Sequence, residues 1–257
     1  MCTLAVYFRV FPSYPLVVAA NRDEYLERPS APPTLLRDEP PRAFGGLDLV
    51  AGGTWLGVND AGLVAGLLNR RTADAPDPTR RSRGLLCLDA LAAPSAAEAA
   101  SRLNDVPAGR YNPFNLLLAD TRGAFVAVQA PEGPPRVSAL PPGLHLLTNL
   151  DVNDPTCPRI AASHQRFVAA GEALRADADD GAFVAHLRDV LADHVTALDP
   201  RGPGSLCVHS AEYGTRSSTV LLLGAAAAPR YLHADGPPCR TPLVELALPF
   251  GSRAPAP

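Results

Sequence analysis

Two rhythms of apolar residues run along this chain. Thr3 to Val10 and Leu16 to Ala20 are near-continuous apolar runs rich in Val, Leu and aromatics. That is the pattern of strands covered on both faces. A Pro-bracketed turn, Phe11 to Pro15, joins them. From Arg28 to about Pro41 prolines dominate and the segment reads as a loop. Leu49 to Asn69 reads as two strands in a hairpin, with Gly52-Gly53 and Asn59-Asp60-Ala61-Gly62 as turn signals. Leu85 to Leu91 and Ala96 to Leu103 have helical composition. Ser95 is placed to cap the second of these, with Glu98 three residues on.

A second strand block follows: Phe114 to Ala119, Ala124 to Gln129, Arg136 to Ala139 and Leu144 to Asn149. The rhythm then becomes helical. Pro158 suits a first helical position, and Ile160, His164, Phe167, Ala170 or Gly171, and Leu174 recur at helical spacing. Phe183, Leu187, Val190, His194 and Leu198 repeat the pattern. Ser205 to His209, Thr219 to Gly224, Tyr231 to His233 and Val244 to Leu248 read as closing strands. Strands, two helices, strands, two helices, strands: two sheets, each needing cover on its outer face, with one helical pair for each. The order predicts an α+β fold, a four-layer αββα sandwich, as a single domain over residues 1–250. The Pro/Ala-rich stretch 251–257 reads as a frayed tail.

Composition narrows the chemistry. The chain has 257 residues, a net charge of −3 and no lysine; every permanent side-chain cation is an arginine. A lysine Schiff base or a P-loop lysine is therefore excluded. No basic stripe marks a nucleic-acid surface, and the cluster Arg80, Arg81, Arg83 reads as a solvated loop before a helix. No run reaches the ~20 apolar residues of a membrane helix, and the N-terminus lacks a signal-peptide pattern. Five cysteines, an odd number without a CxxC pair, fit a reducing, cytoplasmic setting better than a disulfide framework. The six histidines form no HxxxH-type spacing with a nearby acid, so no metal and no cofactor is expected. His164 and His194 read as packing residues on helix faces.

Cys2 is the sharpest chemical feature. With Met1 removed, one residue carries both a thiol and an α-amine, whose reference pKa of about 7.7–8.0 suits a general base. A nucleophile that supplies its own base is an established arrangement. The competing reading is a buried cysteine beside the first strand.

Met1-Cys2-Thr3, then Asn21-Arg22-Asp23-Glu24 after an apolar strand, resembles the NRDE family, also called the transport and Golgi organisation 2 family. Gly53-Thr54-Trp55-Leu56-Gly57-Val58-Asn59, Leu147-Thr148-Asn149 and Tyr213-Gly214-Thr215-Arg216-Ser217-Ser218-Thr219 agree with it in order. The same landmarks are similar, more distantly, to the choloylglycine hydrolase and penicillin V acylase group of N-terminal-nucleophile hydrolases. That resemblance implies Cys2 as nucleophile and Asp23 as the partner of its amine. It implies that Arg22 stabilises the thiolate or the substrate's charge. Asn69, at the end of Gly66-Leu67-Leu68-Asn69, becomes the oxyanion donor, with a strand-ending residue as the alternative. Asn149 becomes a lining residue and Arg216 a brace. In the bile-salt hydrolases two residues separate the arginine from the aspartate, whereas Arg22 and Asp23 are adjacent. Adjacent strand residues face opposite sides, so both reach Cys2 only if the strand ends at Asn21.

Three functions stay open, the first two implied by the resemblances rather than by the residues themselves. One is hydrolysis of a C–N amide bond in a small-molecule substrate. Another is a non-hydrolytic ligand-binding or trafficking role, such as haem or lipid handling in secretory organisation, using the same pocket. The third, a redox-sensing thiol, lacks a resolving partner in the neighbouring sequence. Trp55 and the glycines before it read as packing and turn features, with a pocket wall as the alternative for Trp55.

Overall fold

The opening apolar run folds into β1 (Thr3–Phe8) and β2 (Leu16–Tyr25). The computed structural model describes residues 2–177, 179–194, 204–224 and 229–250. Next along the chain come β3 (Ser30–Arg37), β4 (Ala43–Asp48), β5 (Leu56–Asn59) and β6 (Val64–Asn69). Helices α1 (Arg83–Ala90) and α2 (Ala96–Arg102) lead to β7 (Phe114–Ala119), β8 (Ala124–Gln129), β9 (Arg136–Ala139) and β10 (Gly143–Leu147). Helices α3 (Pro158–Asp177) and α4 (Asp180–Leu191) precede β11 (Tyr213–Leu223), β12 (Arg230–Ala234) and β13 (Val244–Leu246).

The chain divides into two compact units. The first comprises residues 1–28, 142–222 and 230–247. Its six strands run in the order β10-β1-β2-β11-β12-β13. Its core joins the sheet to α3 and α4: Tyr7, Val17 and Val220 meet Phe167, Phe183 and Leu187, all buried. Tyr7, Phe11 and Phe183 pack ring against ring at 5.3–5.9 Å between centroids. The Tyr7 hydroxyl donates to the Phe167 carbonyl at 2.6 Å, so the buried phenol has a partner.

The second unit comprises residues 29–141, 223–229 and 248–257. Its seven strands run in sequence order from β3 to β9. Helices α1 and α2 supply Leu86, Cys87, Leu91, Ala96 and Ala100 to a core with Leu63, Phe114, Leu116 and Ala127. Ser95 caps α2 as expected, accepting from the Glu98 amide at 3.2 Å. The Glu98 carboxylate turns instead to Arg102, one turn on, so the box is only half closed.

Four sequence readings need correcting. The Pro-rich segment Arg28 to about Pro41 is not a loop throughout, because β3 lies within it. Pro32 and Pro33 fall where the β3–β4 register shifts, and β3 is an edge strand. A strand can hold prolines there because no ladder amide is required of them. The following strand β4 was hidden by Gly45 and Gly46, which break the apolar alternation. Ser205 to His209 is buried but irregular. The Cys207 amide donates to the Asp193 carbonyl and the Val208 amide to Thr215 Oγ1, and the stretch pairs with β11 only through a single bridge, His209 with Gly214. Finally, β2 runs on to Tyr25 rather than ending near Ala20. Leu198 of the expected last helix and the expected frayed tail lie outside the described residues.

Gly53 shows why the Gly-Gly-Thr-Trp stretch has its composition. Gly52 turns with φ +70°, and Gly53 lies against the start of α1, where the Thr54 amide donates to the Gly84 carbonyl at 3.0 Å. A Cβ on Gly53 would overlap the Gly84 carbonyl carbon and the Leu85 nitrogen, both backbone atoms that cannot swing aside. Trp55 lies over Gly46 in the same way, as a packing residue. Gly53→Ala is expected to lower stability by about 1–3 kcal/mol. Urea unfolding would measure this, and an unchanged midpoint would contradict the close approach.

Candidate active site

The first unit carries five of the six candidate residues. Cys2 stands at the head of β1, half-buried. Antiparallel pairing ends at Thr3 opposite Asn21 on one side and at Leu4 opposite Leu147 on the other. Continued by one and two residues, those registers set Cys2 level with Arg22 on β2 and with Asn149 just past β10. The turn that carries Asn149 is stitched back onto its strand. Asn153 Oδ1 accepts from the Leu146 amide at 2.7 Å, and the Asn153 amide donates to the Leu146 carbonyl at 2.9 Å.

Asp23 is the centre of a buried polar cluster. Its carboxylate is fully enclosed and pairs with Arg159 Nη1 at 2.7 Å through Oδ2. Oδ1 accepts from Thr215 Oγ1 at 2.6 Å. Its backbone carbonyl accepts from the Tyr213 hydroxyl at 2.9 Å and from Cys2 Sγ at 3.6 Å. Arg159 Nη1 also donates to Thr3 Oγ1 at 3.1 Å, which ties α3 to the residue after Cys2. Arg22 is buried too, with a long ion pair to Glu24 at 3.9 Å. The strand therefore does not end at Asn21. Asp23 meets the thiol with its main chain, while its side chain points into the Arg159–Thr215 cluster.

Burial pushes the Cys2 thiol up from its ordinary value, and the Asp23 carboxylate adds to that. The chain's α-amine, the backbone hydrogen bond at Asp23 and the Arg22 cation act in the other direction, without reversing it. The resting thiol is thus held as S–H. Burial also pushes up the thiols of Cys87 and Cys207.

Arg216, on β11, donates through Nη1 to the carbonyls of Tyr25 and Leu26, where the chain leaves β2. It braces the strand that holds Arg22 and Asp23. Asn69 ends β6 in the second unit, opposite Phe114 and exposed to solvent. Asn21 and Asn59, both inside motifs used for the resemblance, have structural work. Asn21 Nδ2 donates to the carbonyls of Leu191 and Leu206, each at 2.8 Å, and its Oδ1 accepts from Ser218. Asn59 Nδ2 donates to the carbonyls of Leu91 and Ala93, and its Oδ1 accepts from the amides of Ala61 and Leu63. A cleft of about 240 Å³ between α1, α2 and Tyr111 contains none of the candidate residues.

Sequence reasoning missed two groups. One is Arg159. A cation in the first turn of a helix opposes the helix dipole, and that misplacement was the available signal. The other is a cluster of His194, Cys207, His209 and Cys239 in the first unit. His194 lies beyond the end of α4 rather than on its apolar face. Cys207 and His209, two apart in the irregular stretch, bring Sγ and Nε2 to 3.4 Å.

Three solved structures that share this fold are an amidase ortholog, an acylase and a bile acid hydrolase. An N-acylethanolamine-hydrolyzing acid amidase ortholog of Caenorhabditis elegans superposes with a TM-score of 0.57 at 14% identity, over 86% of this chain and 92% of its own. Penicillin V acylase of Agrobacterium tumefaciens gives 0.57 at 16% identity, over 91% and 83%. A conjugated bile acid hydrolase of Clostridium perfringens gives 0.56 at 12%, over 97% and 98%. This likeness shows the α+β fold class of the N-terminal-nucleophile hydrolases, as the order of elements and the motifs led one to expect. Within that class the sequence profile of Transport and Golgi organisation 2 matches residues 1–232, and the chain belongs to that family. A Bos taurus relative, Transport and Golgi organization protein 2 homolog, is 31% identical over 252 residues, covering 88% of this chain and 89% of its own. A Mus musculus homolog is 29% identical over 250 residues, with the same coverage. Among the described residues no helix is long and apolar enough to cross a membrane.

Proposed function

We propose that this protein hydrolyses a C–N amide bond of a small-molecule substrate, in a cytoplasmic setting, with Cys2 as the nucleophile after removal of Met1. One observation carries the reading. The half-buried Cys2 thiol contacts the Asp23 carbonyl of a strand tied to α3 by an enclosed ion pair, with Arg22 on β2 and Asn149 just past β10 beside it by continuation of the register. The solved structures of the same fold are named as an amidase, an acylase and a bile acid hydrolase.

In this reading the thiol stays protonated until substrate arrives, since burial disfavours the thiolate. As sulfur attacks the carbonyl carbon, its proton passes to the neutral α-amine and the carbonyl electron pair moves onto oxygen. Asn69, Asn149 and a backbone N–H are the candidate donors to that oxyanion. Collapse of the adduct breaks the C–N bond, and the leaving nitrogen takes the proton back from the α-ammonium. The same amine then deprotonates a water that adds to the thioester carbonyl; the C–S bond breaks, the acyl group leaves as a carboxylic acid, and the thiolate takes the proton back from the ammonium to restore S–H. Asp23 is a positioning residue, since its carbonyl receives the thiol while its carboxylate is held by Arg159 and Thr215. Arg22 meets the substrate's negative charge, and Arg216 keeps the strand end in place.

Intact mass, followed by exposure to a panel of N-acyl amides, tests this. Met1 itself lies outside the described residues. The expected result is a mass lacking Met1 and an acyl adduct on Cys2 that hydroxylamine removes. Cys2→Ala should lose the adduct and all turnover, whereas Asn69→Ala should slow turnover by about 10²–10³-fold. Retention of Met1 after normal expression, or turnover surviving in Cys2→Ala, would overturn the proposal.

A second reading has its own support. The relatives are named for transport and Golgi organization, and the Asp23 carboxylate is already engaged by Arg159 and Thr215. A non-hydrolytic carrier of haem or lipid would use the same residues to hold a ligand. It predicts saturable binding that Cys2→Ala leaves intact and no product at any time.

A further inference from the structure

We propose that His194, Cys207, His209 and Cys239 form a closed tetrahedral site for a structural zinc ion. One ligand atom from each of the four lies within 4.8 Å of every other. Cys207 Sγ and Cys239 Sγ are 3.7 Å apart, and the Nε2 atoms of His194 and His209 are 3.3 Å apart. His209 Nε2 lies 3.4 Å from Cys207 Sγ and 3.2 Å from Cys239 Sγ. A tetrahedron with Zn–S of about 2.3 Å and Zn–N of about 2.0–2.1 Å has edges of about 3.8 Å for S···S, 3.4 Å for N···N and 3.5 Å for N···S. Four of the six edges follow that pattern to within about 0.3 Å, and the two from His194 to the sulfurs close within 4.8 Å.

Hydrogen bonding among the four does not account for the arrangement. A ring nitrogen has either one proton or one lone pair to offer. His209 Nε2 nonetheless faces three neighbours, of which it could satisfy one. A shared cation at the centre satisfies all four together. Two thiolates and two neutral imidazoles balance a dipositive ion without leaving net charge, and sulfur with imidazole is the donor set that suits zinc. Four protein ligands leave no open position, which makes the site structural rather than catalytic.

The ligands come from three separated segments: the residues after α4, the irregular stretch 205–209, and the turn at 237–241 between β12 and β13. The ion would staple them together. Val208, between two ligands, donates its amide to Thr215 Oγ1 at 2.9 Å, and Thr215 in turn donates to Asp23. The metal site therefore backs the wall of the Cys2 centre without sharing a residue with it. Nothing in the inference requires Cys2 to be catalytic.

The test is elemental analysis of the full chain, purified under reducing conditions without chelator. About one zinc per chain is expected, falling at least tenfold in Cys207→Ser/Cys239→Ser and unchanged in the control Cys87→Ser. Because the double variant could fail to fold, wild-type protein is also stripped and titrated with cobalt(II). Tetrahedral d–d absorption and a thiolate charge-transfer band should saturate at one equivalent, and zinc should displace them. Reduced protein that carries no zinc and gives no cobalt bands would overturn the site. So would a different resident metal, or a Cys207–Cys239 disulfide in freshly isolated protein.

Discussion

Arg159→Leu is expected to destabilise the protein by about 3–5 kcal/mol, because it strands the Asp23 carboxylate where water cannot reach it. The two side chains are 1% and 0% exposed, and their closest atoms are 2.7 Å apart. Attraction between them offsets two large desolvation costs. Removing one partner leaves the other's cost uncompensated, and the Thr215 hydroxyl bond to that carboxylate does not replace a charge. The reverse change, Asp23→Leu, should cost about as much by the same argument. The double change Asp23→Leu/Arg159→Leu should recover most of the loss, since a well-packed apolar pair needs no compensation. Urea unfolding of the four proteins forms the cycle. If either single variant lies within about 1 kcal/mol of wild type, the pair is not the buried unit described. In an enzyme, the same variants would also shift the position of the thiol through the Asp23 carbonyl. The double variant would then be stable but slow.

Acid is expected to weaken the fold through His233 by up to about 3 kcal/mol between pH 6.5 and pH 4. His233 is 5% exposed, and its Nδ1 lies 3.0 Å from Thr219 Oγ1 on the neighbouring strand. Burial holds its pKa down to about 4 from an ordinary 6.5, with Asp235 opposing weakly. The sign follows from where the proton goes. Between those values the unfolded chain binds a proton that the folded chain refuses, so each step down in pH favours unfolding. The contribution is fully present above pH 6.5 and is spent near pH 4. Carboxylates titrate in the same window, so the difference between wild type and His233→Gln at each pH isolates the effect. The two stability curves should converge as pH falls. Parallel curves would mean that the folded protein accepts the proton freely.

Much of the fold could be read from periodicity. The spans Phe114–Ala119, Ala124–Gln129 and Arg136–Ala139 were legible residue by residue, because alternation and turn residues agree there. The start of α3 was legible from Pro158, whose fixed φ suits only the first turn. What pattern could not show was the strand containing Pro32 and Pro33, whose place at a sheet edge is a tertiary fact. Of the candidate site, Cys2 and the motif around Asp23 could be named from the sequence, but not Arg159, which lies 136 residues beyond Asp23. The His194–Cys239 cluster was equally hidden. Its four members are scattered over three segments, with only Cys207-Val208-His209 close enough to hint at a shared direction.

Part of the motif similarity reports architecture rather than chemistry. Asn21 in the first unit and Asn59 in the second each reach from a strand to carbonyls at or just beyond the C-terminal end of a helix, α4 and α1. Apolar contacts alone let a helix slide along a sheet by fractions of a turn at little cost. Directional bonds to named carbonyls do not, one at Leu191 for α4 and two at Leu91 and Ala93 for α1. Each helix is thus indexed from its C-terminal end, and any change in its length must be taken up at the other. An inserted or deleted residue early in α4 or α1 only moves the helix start, while one beside the asparagine shifts the whole helix face by about 100°. Length variation in this architecture has a polarity, tolerant at helix starts and intolerant at helix ends, and two asparagines set it.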